Sequence, residues 1–399
     1  MKNLYYGWIV VAAISITETV SWGIVYYGFP VMLGPMERDL GYSRTAITAA
    51  FSLGLAVAAV GAIPVGRWID RRGARAVMTL GACLNAVLLV GWARVESLAA
   101  LYLVWAGLGF AMAATLYEPG FAAVVGWFTS KHRDRALLVV TLVAGLASTI
   151  FVPVETWLLA RMSWRDALVV LAVVLAVITI PIHAFVLRAP PHIADAKRAG
   201  REEPAALPGV TLRAATRTLL FWVLDIAFFI ANFATVVVTV HLIPYLSERG
   251  YSPTVAALMI GWMGAVQLLG RILFAPVVRI FGHRSLTAAI FVAQAGGFVL
   301  LALAGRVPTL VPMVFLLGAA NGMATLARAT VVAEIFGPRH YGSITGAIAL
   351  GSNGARAAAP VAAALLQVAL GGYETLFWSL AGLLVVAGVA VRLTEPPSG

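Results

Sequence analysis

The sequence predicts an all-α membrane protein with twelve transmembrane helices in two pseudo-symmetric six-helix bundles. Three observations predict it. The composition is too apolar for a soluble core, long apolar runs recur over the whole length, and a weak internal repeat flanks a central polar segment.

Of the 399 residues, 61% are hydrophobic and 11% charged, with a mean hydropathy of +0.93. A soluble domain is about 45–50% apolar and about 25% charged. This much apolar surface finds cover in lipid rather than in a folded core. The apolar runs fall at 5–33, 45–66, 76–93, 98–127, 136–159, 166–187, 218–246, 253–278, 285–305, 308–336, 342–370 and 374–392. Each is long enough to cross a hydrocarbon layer of roughly 30 Å as a helix. Membrane strands are shorter, about 9–11 residues, and alternate in character, which these runs do not. The first run begins by Tyr5 after only Lys2 and has no small-residue cleavage site, so it reads as a retained helix. The single cysteine, Cys83, lies inside an apolar run and excludes a disulfide framework or a cysteine-based metal site within one chain.

The net charge of +11 is topological. With the N-terminus cytoplasmic and every run crossing, eighteen Lys and Arg fall in cytoplasmic segments and seven in external ones, while Arg271, Arg328 and Arg356 lie inside runs. This positive-inside bias places both termini in the cytoplasm of a cell inner membrane and argues against a nucleic-acid partner. The polar segment 188–217 separates an N-terminal bundle, 1–187, from a C-terminal one, 218–399.

The halves match at an offset of 209 residues (250 minus 41). Gly41-Tyr42-Ser43 recurs as Gly250-Tyr251-Ser252, Gly61 falls on Gly270, Gly73 on Gly282 and Arg75 on Arg284. Parallel six-helix repeats with a midplane site are a transporter architecture.

After the second run the chain reads Gly66-Arg67-Trp68-Ile69-Asp70-Arg71-Arg72-Gly73-Ala74-Arg75. Its glycines suit a tight turn, and Asp70 suits the positive end of a neighbouring helix. This segment resembles the signature loop of the major facilitator superfamily. The resemblance implies a gate of Gly66, Asp70, Arg71 and Gly73, with Asp70 meeting the eleventh helix near Gly342. The second copy has Arg279 in place of Asp70, so only the first copy clasps.

Within that superfamily the chain is similar to the monocarboxylate transporter and oxalate–formate antiporter branch. Four places carry the likeness. They are Tyr6-Gly7-Trp8 with Ser21-Trp22-Gly23 and Tyr27-Gly28-Phe29; Gly126-Trp127-Phe128 with Arg133 and Arg135; Thr211 to Arg217 before Phe221-Trp222; and the midmembrane Arg271. The branch often has an acid four residues before that arginine, where this chain has Gln267, and its first-helix basic residue has no match here. Both departures bear on proton relay. The Gly-Pro motif of drug/proton antiporters is absent from the fifth run.

An ionised group at midmembrane costs roughly 2.5–3.5 kcal/mol on insertion scales and so faces the bundle interior. The acids and arginines inside runs are Glu18, Glu118, Glu155, Asp225, Arg271, Arg328 and Arg356, joined by His241, Asn232, Gln267, Asn321 and Asn353. At 1.5 Å per residue, Arg271 lies roughly 12 Å deep, Glu118 and Arg328 roughly 14 Å, and Glu18 and Arg356 roughly 20 Å. Glu155, near the outer end, is expected to face water.

A guanidinium keeps its charge and matches a carboxylate as a planar fork. Arg271, with Gln267 on the same face, is therefore the first substrate-binding candidate. His241, Arg356, Asn353 and Tyr117 complete the expected set. Arginine does not titrate here, so a coupled proton rides on Glu118, Asp225 or His241. Glu118 and Arg328, nearly equivalent in the repeat, form a candidate interdomain pair.

The expected activity is secondary transport of a small organic anion, a lactate- or pyruvate-like monocarboxylate, by proton symport with alternating access. The alternatives are dicarboxylate/monocarboxylate exchange, drug efflux and a nontransporting membrane sensor. The expected partners are the carboxylate, a proton and the bilayer, and the expected working unit is a monomer. No cofactor or metal is expected. No HExxH, GxSxG or P-loop appears, which argues against an enzyme.

Overall fold

The computed structural model describes residues 5–190, 208–303 and 307–395. Lys2, Arg306 and most of the expected central loop, 191–207, lie outside them. The described residues form twelve long helices and no strand. They are α1 (Tyr6–Leu40), α2 (Arg44–Arg72), α3 (Ala74–Ala93), α4 (Leu98–Val125), α5 (Ser130–Ala144 and Ala147–Leu159), α6 (Trp164–Val186), α7 (Leu219–Glu248), α8 (Pro253–Phe281), α9 (His283–Ala302), α10 (Val307–Ile335), α11 (Tyr341–Ala369) and α12 (Tyr373–Leu393).

Eleven of the twelve are apolar and long enough to cross a membrane. The exception is α11. It has the length, 29 residues, but Ser352, Asn353 and Arg356 interrupt an Ala- and Gly-rich sequence and lower its hydropathy.

Helix ends follow local chemistry. Ser43, Ser97, Ser163, Thr218 and Ser252 cap α2, α4, α6, α7 and α8 by accepting a hydrogen bond from a first-turn amide. Gly41 and Gly73 turn the chain at φ +70° and +79°, and their repeat partners Gly250 and Gly282 do so at +83° and +76°. A side chain is strained at such angles, which accounts for the glycines.

The repeat is visible in the helices themselves. At the offset that relates Arg44 to Pro253, α2 falls on α8 and α3 on α9, each pair with identical bounds. The close packing repeats too. A Cβ on Gly109 of α4 would stand 2.0 Å from the Gly54 carbonyl oxygen of α2, and one on the equivalent Gly318 of α10 would stand 2.9 Å from that of Met263 in α8. Small residues let membrane helix backbones approach this closely.

Two compact units result, residues 1–211 with 336–350, and 212–335 with 351–399. The sequence assigned everything after 217 to the second bundle. The segment Phe336–Leu350 packs with the first unit instead, because the start of α11 lies on α2. Gly342 and Gly346 approach Gly66 and Ala62 so closely that a Cβ on either would stand within 2.8 Å of a backbone oxygen.

In the first unit, two of the sequence motifs lock together. Tyr5 meets Trp127 and Phe128 edge-on, and Tyr6 and Trp8 pack on the same pair at 5.5 and 5.1 Å. The Tyr6 hydroxyl donates to the Val186 carbonyl at 2.8 Å, which ties the start of α1 to the end of α6.

Candidate functional site

Among the described residues, four helices of the first unit depart from regular α geometry: α6 at its π-helical end, Ile182–Val186, and three more where carboxylates sit. The first is α1, which widens to a π-helix over Trp22–Tyr27. Such turns insert an extra residue and often mark functional sites. One turn earlier lies Glu18, fully buried, whose Oε2 accepts from Trp22 Nε1 at 3.0 Å.

The second is α4, which stops at Thr115 and restarts at Tyr117, with Leu116 extended between them. Pro119 is the reason, since its ring excludes the carbonyl four residues back and it has no amide to donate. The break puts Glu118 in the first turn of the new helix, where backbone amides favour a carboxylate. It also brings Gly120 against Glu18, so that a Cβ on Gly120 would lie 2.4 Å from Oε1. Glu118 is close enough to act on Glu18 electrostatically. Tyr117 packs on Trp22 at 4.9 Å and stacks on Phe121 at 5.0 Å.

The third is α5, interrupted at Gly145-Leu146. Its second segment carries Glu155. This acid is 0% exposed, contrary to the expectation that it faces water. Depth along a helix axis does not reveal which way a side chain points, and Glu155 points into the unit against Gly28.

At the other end of α2, Asp70 bridges to α11. Its Oδ1 and Oδ2 accept from the Gly342 and Ser343 amides, each at 2.8 Å. These are unbonded amides at a helix start, the groups that a carboxylate satisfies best. The glycines divide the work differently from the turn expected. Residues 66–72 are helical, and only Gly73 turns. Gly66 instead makes a helix contact, where a Cβ would stand 2.1 Å from the Gly342 oxygen. Arg71 is exposed. Beside this contact Asp70, Arg188 and Arg339 line a cavity of ≈ 30 Å³, room for about one water.

The second unit holds the arginines. Arg271 on α8 is half-buried, and neighbouring contacts fix its backbone. A Cβ on Gly270 would reach within 2.3 Å of the Ala319 oxygen, and one on Gly322 within 2.1 Å of the Gln267 oxygen. Arg356 on α11 is half-buried and donates through Nε to Asn232 Oδ1 on α7 at 3.0 Å. Asn232 is itself held, donating to the Phe228 carbonyl at 2.8 Å. Among the described residues no ion pair joins Arg356 to an acid. Asn353 and Arg328 are half-buried as well.

Asp225 on α7 packs on Gly351 of α11, where a Cβ would lie 2.6 Å from Oδ1. His241 is buried. Its Nδ1 lies 3.1 Å from the Tyr373 hydroxyl and its Nε2 3.4 Å from the Pro360 carbonyl oxygen. Asn232 and His241, which an ideal helix puts on opposite faces, thus both meet α11. Asn321 Oδ1 accepts from Thr235 and Gln294, which joins α7, α9 and α10. Trp262 is 61% exposed on the outside of its helix.

Sequence reasoning missed two of these features. The Asn232–Arg356 bond joins residues 124 apart, with no local signal. The break in α4 was readable from Pro119.

The family model described as "Major Facilitator Superfamily" matches residues 12–305 and 226–399. Monocarboxylate transporter 13 of Bos taurus is 25% identical over 408 residues, which cover 98% of this chain and 89% of that one. The oxalate:formate antiporter of Oxalobacter formigenes is 28% identical over 57% of this chain and 52% of its own length. Some matches are partial, and the chain spans 63% of the length of another curated relative. Among solved structures, the fucose:proton symporter of E. coli aligns with a TM-score of 0.74 at 16% identity, over 98% of this chain and 100% of that one. This last likeness concerns the fold alone.

Proposed function

We propose, from the premise that this chain belongs to the Major Facilitator Superfamily, that it is a secondary transporter of small organic anions, carrying a monocarboxylate together with a proton. The family is one of membrane transporters, and the relatives named above move monocarboxylates, oxalate and formate by their names.

One observation carries the anion reading. The Arg356 guanidinium is oriented by the neutral Asn232 rather than by an acid. A residue held this way keeps its full positive charge for a ligand, and its fork suits a carboxylate. Arg271 lies in the same unit on α8 and supplies a second fixed charge. Gln267, Asn353 and His241 supply further polar contacts, Tyr117 an aromatic one, and Glu118, Asp225 and His241 are proton carriers. Asp70, with Gly66, Arg71 and Gly73, acts as a gate by gripping the start of α11. The protein works as a monomer in the cell inner membrane with both termini cytoplasmic.

Proteoliposomes loaded with purified protein and offered labelled pyruvate test this reading. Saturable uptake, raised by an inward proton gradient, is expected. Absence of uptake for pyruvate and for other short carboxylates would overturn it. A second reading, exchange of a dicarboxylate such as oxalate for a monocarboxylate, is favoured by the two arginines in one unit. It predicts counterflow without a gradient effect.

A further inference from the structure

We propose that Glu155 is a proton-binding site of the first unit, built against the π-helical turn of α1. The proposal rests on the transport reading only for what the proton drives.

Gly23 lies within the π-helical turn and Gly28 directly after it, and both receive side chains of α5. A Cβ on Gly23 would stand 2.2 Å from the Phe151 ring. A Cβ on Gly28 would stand 2.9 Å from Glu155 Oε1 and 3.9 Å from Oε2. Phe151 and Glu155 are four residues apart, hence on one helix face. The two glycines therefore make room for this face, and the carboxyl is seated on backbone.

Glu155 is 0% exposed, and neither of its oxygens has a hydrogen-bond partner among the described residues. The helices packed on this segment are α1 and α6, and their charged and titratable groups are bonded elsewhere or exposed. Glu18 accepts from Trp22. Tyr26 and Tyr27 pack on Trp22 and on each other. Glu37 pairs with Arg44, and Arg165 with Asp39. Arg38 is exposed. Asp166 bonds Ser163, and His183 bonds the Met78 carbonyl. Among these groups no cation pairs with Glu155.

Burying an ionised carboxylate without a cation or donors is very costly, and binding a proton removes that cost. Release of the proton then requires water to reach the carboxyl, so proton exchange is tied to opening of the contact between α5 and the turn. That is the property a coupling site needs.

Two readouts test the proposal. Infrared difference spectra of the purified protein, recorded through a pH series with hydrogen/deuterium exchange, report protonated carboxylic acids without any substrate. Glu155→Gln should remove one such band, and Glu155→Asp should restore a shifted one. Spectra of the Gln variant unchanged across the series would overturn the proposal.

In proteoliposomes, Glu155→Gln should lower accumulation of pyruvate driven by a pH gradient by about tenfold more than it lowers pyruvate counterflow, the drive that one pH unit supplies. Parallel loss of both would mark a structural role and overturn the coupling claim. If the wild-type protein moves no pyruvate, the transport reading alone fails, and the infrared spectra still decide whether Glu155 binds a proton.

Discussion

Asp70 receives the Gly342 amide at 2.8 Å across 272 residues of sequence, so a carboxylate near the end of one helix caps the start of another. The neighbouring Ser343 amide completes the cap through the second oxygen. Asp70→Asn keeps the shape and loses the charge, and its NH2 group sets a donor against one of the two amide donors. Hydrogen bonds to charged groups contribute about 1.5–3 kcal/mol each. The variant should unfold at a lower temperature in detergent and transport more slowly. Unchanged values in both assays would show that the cap does not hold α11.

Beside that cap, Gly66 is sealed by backbone. Gly66→Ala drives a methyl to 2.1 Å from the Gly342 oxygen, which no side-chain rotation relieves. Overpacking of this kind costs about 1–3 kcal/mol. Gly264→Ala on α8, where a Cβ meets nothing within 4 Å, is the matched control and should be neutral. Thermal unfolding of the two variants side by side checks the contrast, and equal effects would contradict it.

The Asn232–Arg356 bond gives a prediction of sign. Asn232→Asp sets an anion beside the guanidinium, where it competes with a carboxylate substrate. Asn232→Ala removes the orienting contact and leaves the charge. Each factor of ten in KM corresponds to about 1.4 kcal/mol. The Asp variant should raise KM for pyruvate by roughly tenfold more than the Ala variant. The reverse order in initial-rate uptake would refute a charge-based site at Arg356.

His241 and Tyr373 join α7 to α12 through a buried contact of 3.1 Å. Tyr373→Phe removes the hydroxyl and keeps the ring against Phe377 and Tyr245. Loss of one such bond costs about 0.5–1.5 kcal/mol, so a small fall in thermal stability is expected. Because the hydroxyl also orients His241, which is proposed above as a substrate contact, pyruvate affinity should fall with it, and unchanged stability and affinity would contradict both roles.

The helices and their repeat were legible because both are written in local sequence. Apolar runs mark helices, and Gly41, Gly73, Gly250 and Gly282 mark turns where only glycine sits comfortably. What escaped depends on facing and on partners distant in sequence. The π-turn at Trp22 to Tyr27 has no composition of its own. Glu155 was assigned by depth, which is silent about direction. Gly66 looked like a turn residue because glycine serves turns and close helix contacts equally well, and only the position of Gly342 tells the two apart. Asn232 finds its partner in Arg356 on α11, which no local spacing announces.

The anion claim is tested most directly by substrate charge together with Arg356. Labelled lactate uptake into proteoliposomes is measured for the wild type and for Arg356→Gln, each with unlabelled lactate or its neutral amide, lactamide, as competitor. The account predicts that lactate competes and lactamide does not, and that Arg356→Gln loses about tenfold or more in uptake. Equal competition by the amide, with uptake undiminished in the variant, would contradict it.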